Sequence, residues 1–548
     1  MASCWTWPRP SGAPTVPRRL RIAGCVISVL AAVACAAPAR QAPDTTTGNA
    51  PAAERAAPKR LTAAIRGYPK SVSVAIDATG AGSTAGVRNV EQMLNDGFAV
   101  LDNEGQLQPR LAEAVPSIEN GLWKLFPDGQ METTWRIRGG AVWQDGVPFT
   151  AEDVLFTATV ARDRQLAILQ EPAFEAIAAI EATDPRTVVV RWNKPYIWAD
   201  SLLSSAGSGS ILPMPRHLLL DSYTDDRANF TQHRYWGPDF VGDFSVMVAN
   251  ILAGAVEVTL GRGLSLEQGM EASARWREGR MEYALTNITA LFPQFVNATP
   301  SVVSDVSFRR VVVHALDRQQ LSDVLQAGVS PVSHNPLVPN SPEALATEGN
   351  AVRYDYDPQR AAQLIGGLGY TRGTDGLFRD AAGQLLAVKI QTTNDDLREK
   401  MLPVIGDFWR QAGVTMEPVM IARRLSSDRQ IRAEFASFDL TRQPNDLTRY
   451  HSSQVPLLEN SYRGSNRTRY RSADLDALID RYTVTVPKDE RNRVLGQMVH
   501  HVTDQLVIIG IFFIAEPALI SNRITNVTSI KGDEALNTWN VHAWDLRS

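Results

Sequence analysis

Residues Trp135–Val154 read WRIRGGAVWQDGVPFTAEDV. Thr133–Arg138 (TTWRIR) alternates in the period of a strand, Asp145-Gly146 supplies a tight turn, and Thr150 stands three residues before Asp153 ahead of the apolar Val154-Leu155-Phe156. A Thr followed by an acid three positions on can satisfy the free N–H groups of a helix start, so a helix is predicted to begin after Thr150. Strand, turn and capped helix set the style of the whole chain. Thr187–Trp192 (TVVVRW) is a β-branched strand, and Val72–Ile76 (VSVAI) reads as another. Leu385–Thr392 (LLAVKIQT), an amphipathic helix over Asp395–Ala412 ended by Gly413, and Val414–Ile421 (VTMEPVMI) form a βαβ unit with a parallel strand pair. Helices over Ser472–Tyr482 and Pro487–Gln505 lead into a buried strand, Leu506–Ala515 (LVIIGIFFIA). The class is α/β.

At 548 residues the chain is too long for a single core, so two or more lobes are expected. A formal net charge of −4 argues against a nucleic-acid partner, which selects basic surfaces. The N-terminal 34 residues read as a signal peptide. Arg9, Arg18, Arg19 and Arg21 form a basic region, and an apolar run from Ile22 to Ala34 follows that is too short to span a bilayer. Ala32-Val33-Ala34-Cys35 then resembles a bacterial lipobox, which makes Cys35 the expected lipidation site; ordinary cleavage in the same stretch is the alternative. Removing residues 1–34 takes four arginines and no acid, so the mature chain would carry −8. Residues 35–60, rich in Ala, Pro and Thr, cannot bury enough apolar surface to order themselves and read as a tether. Cys4, Cys25 and Cys35 all precede the folded part, which therefore has no disulfide and no thiol nucleophile.

Enzyme signatures are missing: there is no Gly-x-Ser-x-Gly elbow, Walker loop, GxGxxG or His-Glu-x-x-His. His500 and His501 are adjacent on a predicted helix and point to different faces, so a shared metal is not expected. Asp225-Asp226 and Asp395-Asp396 fall at loops or helix starts, where capping accounts for them. No cofactor, metal or catalytic residues are assigned.

The Trp135–Val154 segment resembles the pattern that marks the peptide/nickel/opine (family 5) solute-binding proteins of ABC import systems. Gln106–Ala114 (QLQPRLAEA), Leu212–Leu219 (LPMPRHLL), Phe308–Asp317 (FRRVVVHALD), Tyr356–Ala361 (YDPQRA) and Arg469–Asp480 resemble further motifs of that family, in its order. The resemblance implies a two-lobed periplasmic-binding-protein-like fold (type II, cluster C) with a hinge between the lobes. On this chain it places lobe 1 at 61–296, with 513–548 returning to it, and lobe 2 at 297–512. The two chain crossings would then fall near Phe295–Pro300 and Phe512–Pro517. It implies an extracytoplasmic, membrane-anchored or periplasmic monomer that closes on a peptide or similar small solute and hands it to membrane permease subunits. A transport-inactive surface sensor of the same fold is the alternative, and a secreted hydrolase a weaker one.

One departure stands out. After Phe240-Val241-Gly242 the family continues with further strands, but here Asp243–Ala249 (DFSVMVA) runs directly into Asn250–Val258 (NILAGAVEV). An internal deletion is implied, with an unpaired edge and loose packing around Thr187–Trp192 and Asp243–Leu260, unless Asp243–Ala249 supplies a replacement strand.

Ligand contacts are carried over from the family only loosely. Asp446, after Phe438–Asn445 (FDLTRQPN), lies where peptide binders place an acid for the α-ammonium, but a turn Asp fits equally. Arg442, Arg449, Arg463, Arg467, Arg469 and Arg471, with Tyr450, Tyr462 and Tyr470, could grip carboxylates or form a solvated loop. The candidate ligand-binding set is Arg442, Asn445, Asp446, Tyr450, Asn466 and Trp539. Trp539 and Trp544 admit either a cleft wall or core packing.

Overall fold

The computed structural model describes residues 60–547 apart from 68, 78–83, 170, 206–210, 238–246, 262, 394, 423–424, 427 and 529–537. The signal peptide, Cys35 and the tether lie outside the described residues, as do Asp243–246 of the departure segment.

In chain order the elements that position the site are β1 (Ala63–Ala64), β2 (Trp123–Leu125), β3 (Met131–Arg136), α1 (Ala151–Ala161), β4 (Ile177–Asp184), β5 (Thr187–Trp192), α2 (Met247–Leu252), β6 (Val258–Thr259), α3 (Leu266–Arg275) and β7 (Gly279–Pro293). They are followed by α4 (Val306–His314), β8 (Ala387–Thr393), α5 (Asp396–Gln411), β9 (Thr415–Ile421), α6 (Arg429–Ala433), β10 (Phe438–Gln443), α7 (Ala473–Val484), α8 (Lys488–Asp504) and β11 (Ile509–Ser521). A four-stranded antiparallel sheet has the order β2-β3-β5-β4, and a seven-stranded mixed sheet the order β1-β6-β11-β7-β10-β8-β9.

The opening motif folds as its residues dictate. Trp135 is fully buried on β3, stacked on Phe98 with ring centroids 4.7 Å apart. The Asp153 carboxylate accepts from Thr150 N at 2.9 Å and from Arg216 N at 2.9 Å, so the residue that caps α1 also ties it to the start of the helix over Arg216–Asp225. β8 and β9 pair in parallel from Ala387↔Thr415 to Thr393↔Ile421, with α5 between them, which is the βαβ unit read from the sequence.

Two long strands join the lobes. The first half of β7, from Gly279 to Leu285, pairs with Ala515–Ser521 of β11. Its second half, Ile288–Pro293, pairs with β10 on one side and, through Leu291, with Ile509 of β11 on the other. Hydrophobic clusters divide at the same place. Those around the four-stranded sheet, α3 and β6 draw on residues up to Met281 and beyond Ala518, with Val486 as the exception; those around α4, α5 and α8 draw on Leu285 to Phe513. The pairing partners of β7 thus change between Leu285 and Ile288, while the strand itself continues to Pro293. Pro293 and Asn297, which has a positive φ of 58°, mark only where the strand has ended. In β11 a β-bulge lies between Phe513 and Ala515.

Four expectations are corrected. Val74–Asp77 is a short helix and not a strand; a short apolar run carries no periodicity to separate the two, and Asp77 holds it by accepting from Lys70 N at 2.8 Å. Met247–Leu252 is helical, so no replacement strand forms there. The predicted unpaired edge is not at β5, which is paired on both sides by β3 and β4 and buries Val188, Val190 and Trp192, nor at β6, which lies between β1 and β11. β11 begins later than predicted and runs through Pro517, a residue that reads as a strand end in sequence.

Candidate ligand-binding cleft

A cleft of about 1830 Å³ lies between the lobes. The parallel strands β8, β9 and β10 end at its floor, and the cleft opens beyond their carboxyl ends, where open α/β sheets place their ligands. Gln391, Thr392 and Thr393 of β8 and Thr441 and Arg442 of β10 line it, with the first turn of α5 and all of α6 from Arg429 except its second residue. The opposite wall is the start of α3, where Ser265 and Gln268 exchange capping hydrogen bonds (3.2 and 3.0 Å), together with Arg66 after β1. Ile514, Ala515 and Glu516 of the crossing strand form its back.

Charge dominates this surface. Among the described residues, nine arginines and lysines line the cleft against five acids. Four of the acids are already paired. Arg442 Nη1 donates to Glu516 Oε1 at 3.1 Å, tying β10 to β11. Arg398 lies 3.4 Å from Asp395; burial would raise that carboxyl, but Arg398 and Arg442 outweigh it and hold it below its ordinary value. Lys400 Nζ donates to Glu267 Oε2. Arg467 Nη1 stands 2.9 Å from Asp439 Oδ2, off the axis of a hydrogen bond, so the pair is ionic. Burial pushes the Asp439 carboxyl up, and Arg467, Arg398 and Arg432 oppose it. Arg432 is lowered to about 10, by burial first and then by the repulsion of Arg467, with Arg449 and Arg429 adding to it and Asp439 opposing. Arg449 also lines the cleft, and its buried Nε has no acceptor among the described residues.

Of the six predicted ligand residues, the structure brings only Arg442 into the cleft wall. Asp446 is exposed and caps its own turn, accepting from Thr448 N (2.9 Å) and Oγ1 (2.7 Å). Asn445 Oδ1 accepts from Val338 N at 3.1 Å. Tyr450 is buried and donates to Gln443 Oε1 at 2.8 Å, and Asn466, fully buried, donates to the carbonyls of Tyr450 and Tyr470. Trp539 is half-buried outside the lining, with a buried Nε1 that lacks an acceptor among the described residues. The Arg/Tyr cluster divides: Arg442, Arg449, Arg463, Arg467 and Tyr462 face the cleft, whereas Arg469 is buried, Arg471 is exposed away from it, and Tyr470 packs on Phe295. Sequence reasoning missed Arg398, Lys400, Arg432, Glu267 and Glu516. The signal available for the first two was their place in the turn after a parallel strand. Among the described residues no cluster of three His, Cys, Asp or Glu is arranged to hold a metal, and no helix is long and apolar enough to cross a membrane. His500 and His501 go to different partners, Asn350 O and Tyr470 OH.

Comparison with known proteins agrees with this architecture. The family described as bacterial extracellular solute-binding proteins, family 5 Middle, matches residues 106–233 and 239–447. A probable deoxycholate-binding periplasmic protein of Escherichia coli is 22% identical over 473 residues, covering 77% of this chain and 82% of that protein. Heme-binding protein A of Haemophilus influenzae is 22% identical over 445 residues, covering 71% and 76%. Among solved structures, the oligopeptide-binding protein of Thermus thermophilus with a pentapeptide superposes with a TM-score of 0.66 at 18% identity, covering 89% of this chain and 96% of that one. A periplasmic EDTA-binding protein gives 0.71 at 15% identity, covering 89% and 96%. These likenesses show the two-lobed α/β fold.

Proposed function

The chain belongs to the bacterial extracellular solute-binding proteins of family 5, and from that premise we propose that it is the extracytoplasmic solute-binding component of an ABC importer. A peptide or similar small solute enters the cleft, the lobes close on it, and the closed form is presented to a membrane permease. The observation that carries this is the cleft itself: its walls belong to separate cores that are joined through β7 and β11, the arrangement that hinge closure requires. Lobe 2 is taken to run from the second half of β7 to the first half of β11. Relatives described as binding deoxycholate, heme or peptides support small-solute binding in general and do not select one solute.

The finer parts of the proposal concern placement and chemistry. The protein works as a monomer, tethered to the membrane through a lipidated Cys35, and it binds without catalysis. Cys35→Ser is expected to release the protein from membranes or leave its signal uncleaved; membrane partition after cleavage would sink the anchor. For function, a melting-temperature screen with peptide, metal-chelate and sugar pools is followed by small-angle scattering of each hit. A hit raises the melting temperature by mass action and lowers the radius of gyration. An unchanged radius with a solute proven to bind would remove closure from the mechanism.

A further inference from the structure

Resting on that reading of the cleft, we propose that its solute is a small polyanion, a compound with two or more carboxylate or phosphate groups, gripped by Arg432, Arg449 and Arg467. The argument starts from charge balance. The chain as a whole carries −4, yet the cleft lining holds an excess of cations among its described residues. Most of the acids in that lining are committed: Glu267 to Lys400, Asp395 to Arg398, Glu516 to Arg442 and Asp439 to Arg467. The fifth, Asp396, lies one helical turn from Lys400 and acts on it. Arg66, Arg429, Arg432, Arg449 and Arg463 are left without a side-chain hydrogen bond or ion pair among the described residues. Among the described lining residues only Asp396 is left for the α-ammonium of a peptide, since Asp446 caps its own turn outside the lining.

The placement of three of these guanidinium groups beside the paired Arg467 is specific. Arg429, Arg432, Arg449 and Arg467 all line the cleft, and the other three each depress the proton affinity of Arg432. Like charges gathered in a cleft destabilise the empty protein, and an anion seated among them reverses that effect. The buried, unpartnered Nε of Arg449 points the same way, because buried donors in folded proteins are paired as a rule. A guanidinium presents a planar fork that matches both carboxylate and phosphate oxygens, so the two chemistries share one recognition logic. Asp439, deep behind Arg467, fixes one arm of the cluster.

The test uses the whole chain and isothermal titration with four probes: citrate, pyrophosphate, trilysine and triglycine. Citrate or pyrophosphate is expected to bind at least tenfold more tightly than either peptide, and the preferred one tells carboxylate from phosphate. The double variant Arg432→Gln/Arg449→Gln is expected to lose at least tenfold in anion affinity while its melting temperature holds or rises, because repulsion has been relieved. A drop in melting temperature with unchanged anion affinity would give the arginines a structural role and overturn the proposal. Tighter binding of trilysine or triglycine than of both anions would also overturn it, while leaving solute binding intact. If neither anion binds, the polyanion is wrong. If in addition no pool in the broader screen shifts the melting temperature, the solute-binding reading falls separately.

Discussion

Lys400 on α5 donates through Nζ to Glu267 Oε2 on α3 at 2.6 Å, and the two helices belong to opposite walls of the cleft. Their hydrogen bond holds the Glu267 carboxyl below its ordinary value and raises Lys400. Both side chains are more than half exposed, so the contact acts as a light clasp across the mouth. Lys400→Glu places two acids face to face and is expected to weaken solute affinity by about two- to fivefold. The swap Lys400→Glu/Glu267→Lys should restore it, and 0.5 M NaCl should erase the difference between wild type and single variant. Equal affinities at low salt would show that the clasp does not contribute to closure.

Glu91 gives the protein a pH dependence. It is buried with 8% of its surface exposed, and burial raises its pKa to about 7, against the partial opposition of Arg88. Glu171 is likewise raised to about 7 by burial. The folded state therefore binds protons between pH 4.5 and 7 that the unfolded chain releases, so stability falls as pH rises through that window and levels off above it. Each group contributes on the order of 3 kcal/mol across the window. Glu91→Gln should raise the melting temperature at pH 8 by several degrees and flatten the profile between pH 5 and 7. A variant that melts below wild type at pH 8 would mean that the attraction of Arg88 outweighs burial.

Arg309 on α4 is 2% exposed and spends its fork on main-chain carbonyls. Nε and Nη2 donate to Gln505 O at 3.2 and 2.9 Å, Nη1 donates to Val303 O at 3.1 Å, and the guanidinium lies 4.5 Å above the Phe295 ring. Arg309→Met leaves buried acceptors unpaired and should cost about 3 kcal/mol in urea unfolding. Arg309→Lys should recover less than half of that, since an ammonium cannot bridge both carbonyls. Full recovery by Lys would show that charge alone suffices.

Gly413 ends α5 with a φ of +93°, and a Cβ there would stand 2.5 Å from Phe378 Cδ2 and 2.9 Å from Gly376 O. Gly413→Ala should therefore destabilise lobe 2 by about 2 kcal/mol or more, through backbone strain and the clash with a carbonyl that cannot rotate away. Measured stability within 0.5 kcal/mol of wild type, a margin of about the size seen for neutral surface changes, would mean that the loop at Gly376 yields.

Much of the fold was legible because local signals and packing agree. Thr150 and Asp153 cap α1 as their spacing predicts, Thr187–Trp192 is β5 to the residue, and Gly413 stops α5 before β9. Errors arose where a local signal was silent or pointed elsewhere. Pro517 reads as a stop, yet β11 crosses it because its neighbours β7 and β6 hold both flanks. The site was less legible. Arg432, Glu267 and Lys400 are far apart in sequence and lie on helices where charge is ordinary; only the assembly of two lobes makes them face one space. Asp446 carried a family expectation and Tyr450 a chemical one, but the chain spends both on its own loop.

The partition of β11 sets an order on biosynthesis. If lobe 2 runs from Ile288 to Phe513, as proposed, its strands and helices have emerged before the last segment of the chain. β6 and the first half of β7 must meanwhile wait, since their shared neighbour is Ala515–Ser521. Such long-range pairing is slow and leaves apolar edges open until it is made. During passage out of the cell, the lobe synthesised first is the lobe completed last. A chain halted after Ala515 would hold a finished half and an unfinished one, with Val258 and Leu260 looking for a strand that has not arrived.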